Sequence, residues 1–227
     1  MTLMLFGTNS AEAAQTKSEI DEWLGQIFLA YVQSGVAAET TFIVVSDHGA
    51  LRAEQTFAPN VLLAQKGWIT TDKTGQVIEW RAIVQSLGGA AMVFVKKPQD
   101  EQDLLALFRE VHEKPDSPLW RILTRQDAAK LGADERAAFF LEAAPGFMFS
   151  GQTKGALLET SQWRTSSGQL PQRAELRIGL VLFGKGIKAG TKLEYARLTD
   201  LAPTIARLLG LEMRTTRGRV LSEVLKP

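Results

Sequence analysis

The sequence predicts an α/β fold carrying a small α+β insert, and three observations lead there. Ile20, Trp23, Leu24, Ile27, Phe28 and Tyr31 recur at helical spacing, and a short connection then leads into the β-branched apolar run at residues 41–46. Residues 51–150 differ in character, with short strand-like and helix-like stretches broken by Gly and Pro. A strand and a helix return near the C-terminus. The core is therefore assigned to residues 1–50 and 151–227, and the insert to residues 51–150.

Each element has a local reason. Ser10 is placed to cap a first helix over residues 11–34, and Gly35 ends it as the residue past the C-cap. Its apolar face predicts a core-packing helix. Ala58-Pro59-Asn60 leads into a short helix over 61–66, closed by Gly67. The turn Asp72-Lys73-Thr74-Gly75 precedes a strand over 76–80, and Gly88-Gly89 precedes another over 90–96. Asp100 opens a helix through residue 113 with Leu104, Leu107, Phe108 and Val111 on one face. His112 lies beside that face and reads as a surface or helix C-terminal histidine, not as a ligand. A strand over 119–123 is followed by a helix capped by Thr124 and running to residue 131. Strands over 139–142 and 147–149 flank the Pro145-Gly146 turn. Residues 151–173 are polar and read as a loop. A strand over 175–183 leads into the glycine-rich stretch 184–190, which lacks the Lys-Ser/Thr helix start of a phosphate-cradling loop. The last helix, over 201–209, is capped by Thr199 or Asp200, tolerates Pro203 in its first turn and ends at Gly210.

Composition narrows the function classes. A formal net charge of +1 gives no electrostatic reason to expect nucleic acid or an anionic membrane as partner. With no cysteine, disulfides and thiolate chemistry are excluded. No apolar run is long enough to predict a membrane span. No targeting segment is legible, and the compartment stays open between cytoplasm and periplasm. The two histidines, His48 and His112, rule out a centre built from several imidazoles of this chain.

The sharpest feature is Thr41-Phe42-Ile43-Val44-Val45-Ser46-Asp47-His48-Gly49. A buried strand ends there in a carboxylate and an imidazole, and ligands of open α/β sheets bind at the carboxyl ends of strands. Neighbouring strand residues point to opposite faces, so Asp47 and His48 share one ligand only if the backbone turns after Val45, which Gly49 permits. Carboxylate plus imidazole is half of a zinc site. The same tripeptide also fits a structural strand end, with Asp47 in a local ion pair and His48 a core histidine.

Five segments in order widen the picture: residues 42–49, Ala58-Pro-Asn-Val-Leu-Leu63, Gly88-Gly-Ala-Ala-Met-Val-Phe94, Phe183-Gly-Lys-Gly-Ile-Lys188 and Leu198-Thr-Asp-Leu-Ala-Pro-Thr-Ile205. Together they resemble the type I phosphodiesterase/nucleotide pyrophosphatase branch of the alkaline phosphatase superfamily, over nearly the whole chain. That resemblance implies an alkaline-phosphatase-like sheet flanked by helices, and hydrolysis of phosphate esters at a pair of zinc ions about 3.5–4 Å apart. It also implies a threonine or serine nucleophile. It makes Asp47 and His48 metal ligands. Phe6-Gly7-Thr8-Asn9-Ser10 resembles the family's Tyr-Gly-x-x-Ser stretch, which puts Met4 at a ligand histidine. The nucleophile and further aspartates would then precede Met1. Ser167-Gly168-Gln-Leu-Pro-Gln-Arg-Ala-Glu-Leu-Arg177 follows the family's final His-Gly stretch, with Ser167 at the histidine.

The resemblance therefore implies at most one weak zinc site, at Asp47 and His48, with no catalytic or other cofactor-binding residue assigned. The chain is expected to be the C-terminal portion of such a hydrolase, inactive alone. The alternative is a degenerate, non-catalytic phospho-ligand or partner-binding protein. The expected partners are a phosphate-ester small molecule if the chain is active, and a partner chain covering an open sheet edge.

Overall fold

The computed structural model describes residues 1–171, 173–214 and 216–227. It is α/β and forms two compact units, one of residues 1–16 and 48–177, the other of residues 17–47 and 178–227. The chain starts as one helical turn, α1 (Thr2–Phe6). The hydroxyl of Ser10 then accepts the Ala13 N–H at 3.0 Å and starts α2 (Ala11–Gln33), as the sequence predicts. β1 (Thr41–Val45) and β2 (Leu51–Phe57) flank the Asp-His-Gly segment.

Next come α3 (Pro59–Gln65), β3 (Ile69–Thr71), β4 (Val77–Trp80), β5 (Ala82–Ser86) and β6 (Ala90–Val95). The Asp72 carboxylate accepts the Thr74 hydroxyl at 2.6 Å and the N–H groups of Gln76 and Thr74, which holds the β3–β4 turn and keeps its carboxyl below the usual range. α4 (Glu101–His112), β7 (Leu119–Thr124), α5 (Arg125–Lys130) and β8 (Phe139–Ala143) complete an antiparallel sheet in the order β5-β6-β8-β7. Thr124 caps α5 as predicted, accepting the Asp127 N–H. Leu104 and Phe108 of α4 pack fully buried on this sheet, with Leu63, Phe57 and Phe149, and form the main core. Asn60, 2% exposed, clamps α3 to β5. Its side chain donates to Val84 O and accepts from Val84 N, both at 2.8 Å.

The rest of the first unit is built round β2. β9 (Gly146–Phe149) pairs with it in parallel, and β10 (Leu158–Thr160) and β11 (Thr165–Ser166) pair antiparallel. One expectation is corrected here, since residues 151–173 are not all loop. Residues 51–57, to which the sequence analysis assigned no element, are a strand. β2 is rich in Arg, Glu, Gln and Thr and is held by ladder hydrogen bonds on both edges, so no hydrophobic alternation announces it. β10 and β11 are too short to show a period.

In the second unit, β12 (Leu180–Gly184) pairs antiparallel with β1, and α6 (Leu201–Leu208) follows. The expected strand over 175–183 is thus displaced, because residues 174–176 form a 3-10 turn. Asp200 caps, but not where expected. Its carboxylate accepts the N–H of Arg197, closing the turn before α6, and the N–H of Arg219, both at 2.9 Å.

The expectation that α2 packs into a core is also corrected. Phe28 and Tyr31 meet Phe42 edge-on at 5.4 and 5.3 Å, and Phe42 stacks on Phe183 at 4.9 Å. Yet Ala13 is the sole buried residue of α2, and Trp23 is 59% exposed. Ile20, Ile27, Leu29 and Val32 are exposed too, so this helix is apolar on several faces, a pattern suited to full burial. β1 and β12 form a two-stranded sheet without a charged residue in either strand to blunt its edges. The purified chain is expected to self-associate or precipitate in dilute buffer. Sedimentation velocity across a concentration series checks this, and a clean, stable monomer is the contrary result.

Candidate functional site

The end of β1 is clasped to the start of β12. Ser46 N donates to Gly179 O at 3.1 Å, and its hydroxyl accepts the Gly179 N–H at 2.9 Å. The chain bends at Asp47. Asp47 and His48 are both exposed, so His48 is not a core histidine. Its Nδ1 lies 2.7 Å from Gly49 O. A carbonyl can only accept, so in the neutral ring Nδ1 carries the proton and Nε2 the in-plane lone pair. Metal-bound histidines are commonly oriented by such a bond.

Gly49 is glycine for room, not for an unusual φ. It does not adopt a left-handed conformation. A Cβ there would lie 2.6 Å from Glu175 O and 2.8 Å from Leu176 Cα. Its N–H donates to Leu176 O at 3.3 Å. The sequence reading assigned this glycine to turning the chain; the structure assigns it to close backbone approach.

Met4 and Ser167, two of the positions that the family resemblance links, are joined by hydrogen bonds through the segment at 164–167. Thr165 pairs with Arg52 and Ser166 with Leu51, so Ser167 leaves the ladder at the end where the chain arrives from His48. On the same segment, Arg164 N donates to Met4 O at 2.6 Å and the Thr165 hydroxyl donates to Leu3 O at 2.9 Å. Ser167 itself is fixed by two glycine turns set back to back. Gly89 N donates to Ser167 O at 2.8 Å. A Cβ on Gly88 would meet Ser167 O at 2.4 Å, and one on Gly168 would meet Leu87 O at 1.9 Å. Both glycines have positive φ, so alanine would be strained as well as crowded.

The donor set does not fit a two-zinc centre. Among the described residues there is no group of three or more His, Cys, Asp or Glu side chains able to share a metal. Met4 offers a thioether and Ser167 a neutral hydroxyl, where zinc favours imidazole, thiolate or carboxylate. His112 ends α4 with Nδ1 3.1 Å from Leu119 O, in the helix-terminal role expected for it.

A family model for type I phosphodiesterase/nucleotide pyrophosphatase matches residues 4–168. The chain belongs to that family. The matched stretch begins at Met4 and closes at Ser167-Gly168, two segments joined through the Arg164–Met4 bond and the β2–β11 ladder. No match to an individual curated protein sequence was found. Among solved structures, human ectonucleotide pyrophosphatase/phosphodiesterase 5 is similar at a TM-score of 0.73 and 16% identity, over 99% of this chain and 56% of that one. The murine protein is similar at 0.74 and 15%, with the same coverage. An inactive threonine-to-alanine form of the murine protein, in complex with AMP, gives 0.73 and 15% over the same shares. These likenesses establish the fold, and the chain spans 56% of the length of those relatives.

Sequence reasoning missed one charged group of the first unit. Glu142 is fully buried in β8, between Arg121 and Arg173. A lone Glu inside the apolar run Phe139-Phe140-Leu141-Glu142-Ala143 was the available signal, since glutamate is rarely buried unpaired.

Because Gly49 is crowded, while a Cβ on Gly179 would meet no atom within 4 Å, the two should respond differently to alanine. Gly49→Ala is expected to lower stability by about 1–3 kcal/mol and Gly179→Ala to stay within about 0.5 kcal/mol. Urea denaturation of both variants checks the contrast.

Proposed function

We propose that this chain is part of a zinc-type phosphodiesterase scaffold that presents Asp47 and His48 as metal ligands but does not by itself complete a catalytic centre. The observation that carries this reading is Ser167. The β2–β11 ladder and the paired glycine turns fix its backbone at the His48 end of β2, yet its side chain is a hydroxyl. Met4, tied to Arg164, adds a second position of the same kind. Asp47 and His48 alone amount to one weak site, and the binuclear chemistry of the family needs more donors.

The ligand class that fits is a phosphate ester, nucleotides included. The AMP complex of the murine neighbour supports this for the fold, at low sequence identity. On this reading residues 51–150 are an insert in a core of residues 1–50 and 151–227.

A second reading, a non-catalytic protein that binds a phospho-ligand or a partner chain, has its own support. The exposed apolar residues of α2 and the uncharged β1–β12 strands offer a surface that a partner chain covers well.

Hydrolysis of a chromogenic phosphodiester and of a nucleotide pyrophosphate, each with added zinc, tests the main reading. The expected rate equals that of buffer with zinc. Turnover that depends on zinc and disappears in Asp47→Asn would show the centre to be complete.

A further inference from the structure

The buried charge in the first unit points at the same loop. Glu142 is 0% exposed, and its two carboxylate oxygens are taken by two arginines. Arg121 Nε lies 2.5 Å from one and Arg173 Nε 3.0 Å from the other. Arg173 also donates through Nη2 to Ala143 O at 3.3 Å, and its guanidinium sits 5.4 Å over the Trp120 ring. Its side chain is only 15% exposed, so this arginine is fixed by hydrogen bonds, charge and packing together. Leu170, buried against Phe140, pins the same segment three residues earlier.

The backbone of Arg173 leads straight to the loop that carries His48. Arg173 O accepts the Leu176 N–H at 3.1 Å and Arg177 N donates to Ala174 O at 3.2 Å, closing the 3-10 turn. From that turn, Leu176 O takes the Gly49 N–H, and Glu175 O sits where a Gly49 side chain would be. Gly49 O in turn faces His48 Nδ1. One continuous path thus runs from Glu142 on β8, through Arg173 and the turn at 174–176, to Gly49 and the imidazole.

We propose that Arg173, anchored by buried Glu142, is a positioning residue that fixes the His48-Gly49 backbone and hence the orientation of the His48 ring. Its functional meaning rests on the metal-ligand reading of His48; the positioning itself does not. Arg121 supplies the internal comparison. It pairs with the same carboxylate, but its backbone belongs to β7, held in register with β8.

Amide hydrogen exchange tests this. The Gly49 N–H is compared with the Val84 N–H, which is bonded to Asn60 Oδ1 inside the core, so that a general loss of stability cancels. In Arg173→Ala the Gly49 amide is expected to exchange about tenfold faster relative to Val84. In Arg121→Ala the ratio is expected to stay within about twofold. If Arg173→Ala does not fold, Arg173→Lys, which keeps the charge and loses the planar fork, should raise the Gly49 ratio in the same direction. An unchanged ratio in the Arg173 variants, or an equal rise in Arg121→Ala, overturns the proposal. A zinc titration on the same samples separates the two claims. Faster Gly49 exchange with unaltered zinc affinity upholds the positioning role and counts against His48 as a ligand.

Discussion

The antiparallel pairing of β2 with β11 is the constraint on which the candidate site depends. β2 leaves the Asp-His-Gly turn, and β11 brings in the segment ending at Ser167. Gly88 and Gly168 let two turns approach with carbonyl oxygens where side chains would otherwise stand. The N-terminal turn is tied to the same strand through Arg164 and Thr165. A pairing of so few residues is marginal alone. Leu170 in the core and Arg173 on Glu142 supply what the short ladder cannot.

Burial is unevenly distributed between the units. The first has a main core around Phe57, Phe108 and Phe149, satisfied polar clamps such as Asn60, and an ion triad centred on buried Glu142. Such a triad is weak support for overall stability, because desolvating Glu142 and Arg173 offsets much of the attraction. Its effect is geometric, since only a narrow set of backbone positions lets both arginines reach one carboxylate. The second unit packs α2 on β1 and β12 through a few aromatic rings and leaves most of the helix exposed. The C-terminal half of that helix, from Trp23 on, is apolar on several faces, whereas its N-terminal half carries Glu12, Lys17, Glu19, Asp21 and Glu22.

Much of this was legible in the residues, and the exceptions have physical causes. α2 was readable because period and the Ser10 cap agree, and β1 and α4 because of their apolar patterns alone. The Asp-His-Gly turn was readable because a strand ends there in polar groups. β2, β10 and β11 were hidden because their stability comes from pairing with distant segments, not from their own pattern. The reason for Gly49 was hidden likewise, since what crowds it lies far along the chain, at residues 175 and 176. The exposure of α2 could not be read, because periodicity says which face is apolar and not what covers it. Asp200 precedes α6 as read, but its carboxylate closes the turn before the helix and holds Arg219 instead of capping α6.

The account turns on how many metal ions these residues hold. Elemental analysis of the purified chain, with zinc supplied during expression, decides this most directly. The account predicts less than one zinc per chain, removed by mild chelation, lower still in His48→Ala and raised in Ser167→His. About two tightly held zinc ions per chain would contradict it.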